Sequence, residues 1–146
     1  MIKSTKQEGF DVWRASGPMG SEADEQSAFF RWLEFAAHQA PPLALCYHVP
    51  NGGSRDRREA ARLKAQGVRA GVPDLCLPVP RGEWHGLYIE MKVDGNAPTK
   101  AQKRWLSALR AQGYYTAVCY GWLAARAAVC DYMGLYFGRD IHELEG

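Results

Sequence analysis

The sequence predicts an α/β fold, a small mixed β-sheet flanked by helices, on three observations. Segments with helical and with strand periodicity alternate along the chain in the order α-β-α-β-β-α-β-α. The length of 146 residues suits one domain, and a chain of this size buries roughly two-thirds of its unfolded surface without staples. The balance of 47% hydrophobic and 23% charged residues is that of a globular chain, not a disordered one.

Residues 1–20 read as an irregular N-terminal segment, with Gly9, Gly17, Pro18 and Gly20 breaking any pattern. Ser21 reads as the N-cap of a helix, and Glu22, Asp24 and Glu25 suit its positive end. Phe29, Phe30, Leu33, Ala36 and Ala37 recur at helical spacing until Pro41-Pro42. Leu43 to Val49 reads as a strand closed by the turn Asn51-Gly52-Gly53. Ser54 then caps a second helix through Gln66, with Gly67 just past its end. Asp74–Val79 and Leu87–Val93 form a β-hairpin around Pro80–Glu83. Thr99 to Gln112 is a helix with a capping-box spacing at Thr99 and Gln102, stopped by Gly113. Tyr114–Tyr120 is a strand and Gly121–Met133 the last helix. One domain therefore spans residues 21–134, and 135–146 form a tail.

Several classes are excluded. No run of 18 apolar residues could span a membrane, and the N-terminus lacks the apolar core of a secretory signal. Cys46, Cys76, Cys119 and Cys130 form no CxxC, which rules out a zinc ribbon and fits reduced thiols in a cytoplasmic protein. Net charge is only +2 but is unevenly spread. Residues 51–70 hold Arg55, Arg57, Arg58, Arg62, Lys64 and Arg69 against Asp56 and Glu59. Residues 100–110 hold Lys100, Lys103, Arg104 and Arg110 with no acid. Two basic segments around an acidic middle suit a polyanion held over carboxylates, or simply two solvated helix faces.

The hairpin carries the chemistry. Side chains alternate along a strand, so Tyr88, Glu90 and Lys92 share one face. If the turn centres on Gly82, Asp74 and Glu90 lie opposite each other. Opposed Cβ atoms are about 4.5–5.5 Å apart. Two carboxylates that close need a shared proton or a cation, and oxygen ligands suit Mg²⁺ or Mn²⁺. The competing interpretation of Glu90-x-Lys92 is an exposed salt-bridge face.

Gly71-Val-Pro-Asp74-Leu followed by Ile89-Glu90-Met-Lys92 resembles the signature of PD-(D/E)XK nucleases. The wider pattern resembles the VRR-NUC (virus-type replication-repair nuclease) branch, through Glu22 with Gln26, His48-Val-Pro-Asn51-Gly-Gly53, Leu63-Lys-Ala-Gln-Gly67, Thr99-Lys-Ala-Gln102 and Trp105-Leu106. The resemblance implies a restriction-endonuclease-like core. It implies metal binding by Asp74, Glu90 and the backbone carbonyl of Met91, with Glu22 as a further acid, and a Lys92 that orients or activates the attacking water. Gln102 matches an active-site glutamine, although its capping box alone accounts for it. Glu22 alone would pass for a first-turn acid worth roughly 0.3–1 kcal/mol to the helix.

By this resemblance the chain is a Mg²⁺- or Mn²⁺-dependent DNA endonuclease leaving 5′-phosphate and 3′-hydroxyl ends, of a standalone phage or bacterial type that selects DNA shape. Asn51, Gly52, Gly53, Arg55, Arg57, Arg58 and Arg62 are its expected DNA contacts. The expected activity is resolution of Holliday junctions by a homodimer, with flap cleavage as the alternative. A catalytically silent DNA-binding domain and a subunit activated by a partner such as a helicase are the rival readings. The expected dimer surface is the aromatic end formed by Trp122, Leu123, Tyr132, Met133, Leu135, Tyr136 and Phe137. The tryptophans at 32, 84, 105 and 122 read as packing or surface residues, with no base-stacking platform among them.

Overall fold

The structure, a computed structural model, describes residues 2–50 and 56–136. In chain order its elements are β1 (Ile2–Gln7), β2 (Phe10–Ala15), α1 (Glu22–Ala36), a 3-10 turn (Pro41–Leu45), β3 (Tyr47–His48), α2 (Arg57–Ala65), β4 (Leu75–Leu77), β5 (Leu87–Lys92), α3 (Lys100–Ala111), β6 (Tyr115–Tyr120) and α4 (Trp122–Met133). From α1 onward this is the order the sequence predicts. The six strands form one sheet, β1-β2-β6-β5-β4-β3. β6 runs parallel to both β2 and β5, and the other pairs are antiparallel.

Ile2–Gln7 and Phe10–Ala15 form a hairpin where the sequence predicts an irregular segment, and residues 16–20 stay without regular structure. Gln7 pairs with Phe10, so β1 and β2 turn on Glu8-Gly9 alone. Gly9 has φ +85°, and a side chain there would collide with Ser107 of α3. The hairpin is tied down by a buried polar group. Asp11 Oδ2 accepts from the Tyr115 hydroxyl at 2.7 Å, Arg110 Nη2 lies 3.5 Å from Oδ1, and Trp13 Nε1 donates to the Tyr115 hydroxyl at 3.0 Å. β1 escapes a sequence reading because it is a polar, exposed edge strand without alternating apolar residues.

The apolar run Leu43–Val49 is also not one strand. Pro41 and Pro42 preset the backbone for a helical turn, which buries Leu43 and leaves only Tyr47–His48 extended. α2 starts at Arg57, later than expected, because Asp56 rather than Ser54 is its cap and accepts from Glu59 N at 2.8 Å. Ser54, with Asn51, Gly52, Gly53 and Arg55, lies outside the described residues. The other caps are as predicted: Ser21 closes a box with Asp24, and Thr99 one with Gln102.

Helices cover both faces of the sheet. Phe29, Leu33 and Ala36 of α1 and Ala124, Ala125, Ala128 and Val129 of α4 pack on Leu87, Ile89, Met91, Ala117 and Cys119. On the opposite face Leu106 of α3 packs with Phe10, Val118 and Tyr120. This packing corrects the expected dimer surface. Tyr132 and Met133 are buried, and Trp122 and Leu135 lean on the same core. Helix α4 closes the sheet, because its small residues let it approach closely. Tyr136 stays exposed, and Phe137 lies outside the described residues. The large exposed apolar side chains include Phe35, Leu45 and Tyr47 instead. The four cysteines are free. No helix among the described residues is long and apolar enough to cross a membrane.

Candidate active site

The β4–β5 register pairs Leu75 with Ile89 and Leu77 with Leu87. Carried one step further, it sets Asp74 across from Glu90, as the Gly82 arithmetic requires. Asp74 stands at the mouth of β4 and is held on several sides. Its Oδ2 accepts from Met91 N at 2.8 Å. Its backbone carbonyl accepts from Val49 N at 2.7 Å and from His48 Nδ1 at 3.0 Å. The approach to Asp74 explains Gly71: at φ +91°, a Cβ there would sit 2.7 Å from the backbone carbonyl carbon of Ala101. The Gly71-Val-Pro-Asp74 loop therefore packs directly on the start of α3.

Glu90 lies mid-strand on the central β5, paired with β4 and β6 on either side, and is 2% exposed. Its Oε2 accepts from Gln102 Nε2 at 3.2 Å and lies 3.8 Å from Lys92 Nζ. Lys92 is 8% exposed. The Glu90–Lys92 pair is thus buried, which removes the exposed salt-bridge interpretation. Gln102 makes two hydrogen bonds at once. Its Oε1 accepts from Thr99 N at 2.8 Å as part of the capping box, and its Nε2 reaches Glu90. The local cap fixes the rotamer that the site uses.

Glu22 opens α1, and its carboxylate joins the same centre. One oxygen each from Glu22, Asp74 and Glu90 lies within 4.8 Å of the others. The crowding shows in the proton affinities. Burial, followed by the neighbouring Asp74 carboxylate, pushes Glu90 from the usual carboxylate range to about 9, with Lys92 acting the other way. Burial also raises Glu22, opposed by Lys92 and helped by Asp74. Without a cation, then, Glu90 is protonated at neutral pH.

With Glu90 ionised, its buried Oε1 has no hydrogen-bond donor, so either a proton shared with the Asp74 carboxylate or a cation must satisfy it. A native protein seldom leaves such an atom unmatched. Three carboxylates around that oxygen, with no sulfur or imidazole in the group, are the donor set of a hard divalent cation. Met91 buries its side chain in the core and gives its N–H to Asp74. Gln26 is half-buried on α1. Arg57, Arg58 and Arg62 are exposed on α2, a helix with no buried residue. His48, which no sequence signal singles out as an Asp74 support, is the addition the structure makes.

An α/β core whose adjoining strands present Asp74 and Glu90-Met-Lys92 to one polar centre is the architecture of PD-(D/E)XK nucleases. Residues 21–122 match the VRR-NUC domain, and the chain belongs to the VRR-NUC family. It is similar to a solved structure described as a VRR_NUC domain protein, at 30% identity and a TM-score of 0.67, over 82% of this chain and 93% of that one. No curated protein matches the chain. The β1–β2 hairpin lies outside the matched residues.

Proposed function

We propose that this nuclease is a Mg²⁺- or Mn²⁺-dependent, structure-selective endodeoxyribonuclease that hydrolyses phosphodiester bonds in branched DNA. The observation that carries this is the Glu22–Asp74–Glu90 cluster, closed round a buried carboxylate that needs a proton or a cation. Asp74, Glu90, Glu22 and the backbone carbonyl of Met91 would hold the ion. When bound, it supplies Lewis-acid polarisation of the scissile phosphate and a water of lowered pKa. Lys92 directs its ammonium into the same centre, orients the attacking water and offsets charge that builds on the phosphate. Gln102 fixes the carboxylate of Glu90 between β5 and α3. Intact Asp74, Glu90 and Lys92 in one centre favour an active enzyme over a silent DNA-binding domain.

A homodimer making paired cuts on a four-way junction is the finer reading, because two strands need two sites and C₂ is the commonest assembly. Phe35, Leu45 and Tyr47, more than half exposed, offer it apolar surface. The test is cleavage of four-way junction, flap and plain duplex with and without Mn²⁺, alongside light scattering. Paired symmetric cuts by a dimer support resolution of junctions; flap cleavage alone keeps the nuclease and replaces the substrate. No cleavage of any substrate by a chain that binds Mn²⁺ would point to activation by a partner such as a helicase.

DNA docking falls to Arg57, Arg58 and Arg62 of α2 and to Asn51, Gly52, Gly53 and Arg55, which precede it in sequence. Replacing Arg57 and Arg58 together by Gln should weaken binding and flatten its salt dependence by roughly one to two units of slope, since each phosphate contact contributes about 0.9. Filter binding across a salt series checks this. An unchanged slope would mean a merely solvated face.

A further inference from the structure

Beside the carboxylate centre, α3 turns a second face away from the sheet. Gln102 and Leu106 point inward, to Glu90 and to the core. One helical step round, Ala101, Arg104, Trp105 and Ala108 line a cleft of about 280 Å³ whose far wall is Ala70. Ala70 adjoins Gly71, whose backbone rests on Ala101, so the cleft belongs to the same loop that delivers Asp74. Trp105 is half-buried, yet it belongs to neither core cluster. It is a large aromatic ring kept open by three alanines.

The surroundings decide what fits. Residues 100–110 contain no acid, and Lys100, Lys103 and Arg104 are exposed on this helix. Of these cations Arg104 lines the cleft itself, so its wall is apolar apart from one guanidinium. Planar rings attached to a phosphate chain match both features: the ring stacks on indole, and the chain meets the Arg104 guanidinium. A paired base inside a duplex hides its faces in the stack, so only an unpaired base can enter.

We infer that the Trp105 cleft takes an unpaired nucleobase of the DNA strand being cut, adjacent to the scissile phosphate, and so selects substrates with single-stranded character. This rests on the nuclease reading above and names the feature of branched DNA that would be recognised. It also revises the view of Trp105 as a packing residue: Ala101 and Ala108 flank it on one face of α3, and Ala70 joins them only in the fold.

The test uses the full chain with Ca²⁺ in place of the catalytic ion, and flap DNA with 2-aminopurine at successive unpaired positions. Wild type should quench the probe at one position next to the cleavage site. Trp105→Ala should lose that quench and bind flap DNA roughly tenfold or more weakly, while binding of blunt duplex changes less than twofold. Trp105→Phe, which keeps a stacking face and the fold, should restore most of both. Retained quench in a Trp105→Ala protein with an unchanged circular dichroism spectrum would overturn the cleft, as would equal losses for flap and duplex. Wild type that still cleaves with Mn²⁺ in those cases leaves the nuclease reading intact. Wild type that neither binds nor cleaves any DNA would sink both.

Discussion

Glu90→Gln is expected to abolish cleavage while making the metal-free protein more stable at alkaline pH. The loss of activity follows from the position of the carboxylate. An ion worth several kcal/mol of charge stabilisation loses a ligand, so the rate should fall at least roughly a thousandfold. The gain in stability follows from the proton. In the folded chain Glu90 releases its proton near pH 9, against a usual value of 4.5. Between those values the folded state holds a proton that the unfolded state has lost, so stability falls as pH rises. Glutamine carries no such penalty. At pH 8 in EDTA the variant should gain up to about 5 kcal/mol, about 1.4 for each pH unit above 4.5, a rise in Tm of roughly 10 °C or more. At pH 4, where both states of the wild type are protonated, the difference should largely vanish. Mn²⁺ should reverse the order by stabilising only the wild type. Thermal melts at the two pH values decide it; a variant less stable than wild type at pH 8 would show that Glu90 is not crowded as described.

Much of this site is legible in the sequence because its geometry is local. Asp74 and Glu90 belong to one hairpin, and a single turn centre sets their register. Thr99 and Gln102 belong to one helical turn. Glu22 is different: it continues the helical stripe of Gln26, Phe30, Leu33 and Ala37, but a first-turn acid accounts for it as well, and the resemblance to VRR-NUC proteins tips the balance. His48 stands in a motif that the sequence shows, but its contact is hidden for a related reason, since its ring nitrogen meets a carbonyl 26 residues away. The N-terminal hairpin hid behind polar edge residues, and its anchor at Asp11 depends on Tyr115 and Arg110 from the far end of the chain. Burial reverses two surface readings in opposite directions. It draws Glu90 and Lys92 inside where a strand face looked solvated, and it encloses Tyr132 and Met133 where the helix looked available for a partner.

Lys92→Met and Asp74→Asn should lose cleavage alike but part company in metal binding. Methionine keeps the bulk of the buried Lys92 stem and removes its ammonium, which cannot be a metal ligand. Cleavage should drop roughly 10²- to 10⁴-fold, with Mn²⁺ affinity by calorimetry changed only a few-fold. Asparagine at position 74 keeps an oxygen to accept from Met91 N, so the loop should stay in place. It removes a charged ligand, and Mn²⁺ affinity should fall roughly tenfold to a hundredfold or more. Proton release separates the two further. Wild-type Glu90 must give up its proton to bind an ion at pH 7, so affinity should climb with pH toward 9. Buffers of different ionisation enthalpy would report that release. Asp74→Asn removes the neighbouring negative charge, so Glu90 is already more ionised and releases less. Lys92→Met removes the opposing positive charge, so Glu90 holds its proton harder and releases at least as much. Lys92→Met that binds no Mn²⁺ would make the lysine a structural prop for the carboxylates. Asp74→Asn that binds as tightly as wild type would take Asp74 out of the metal centre.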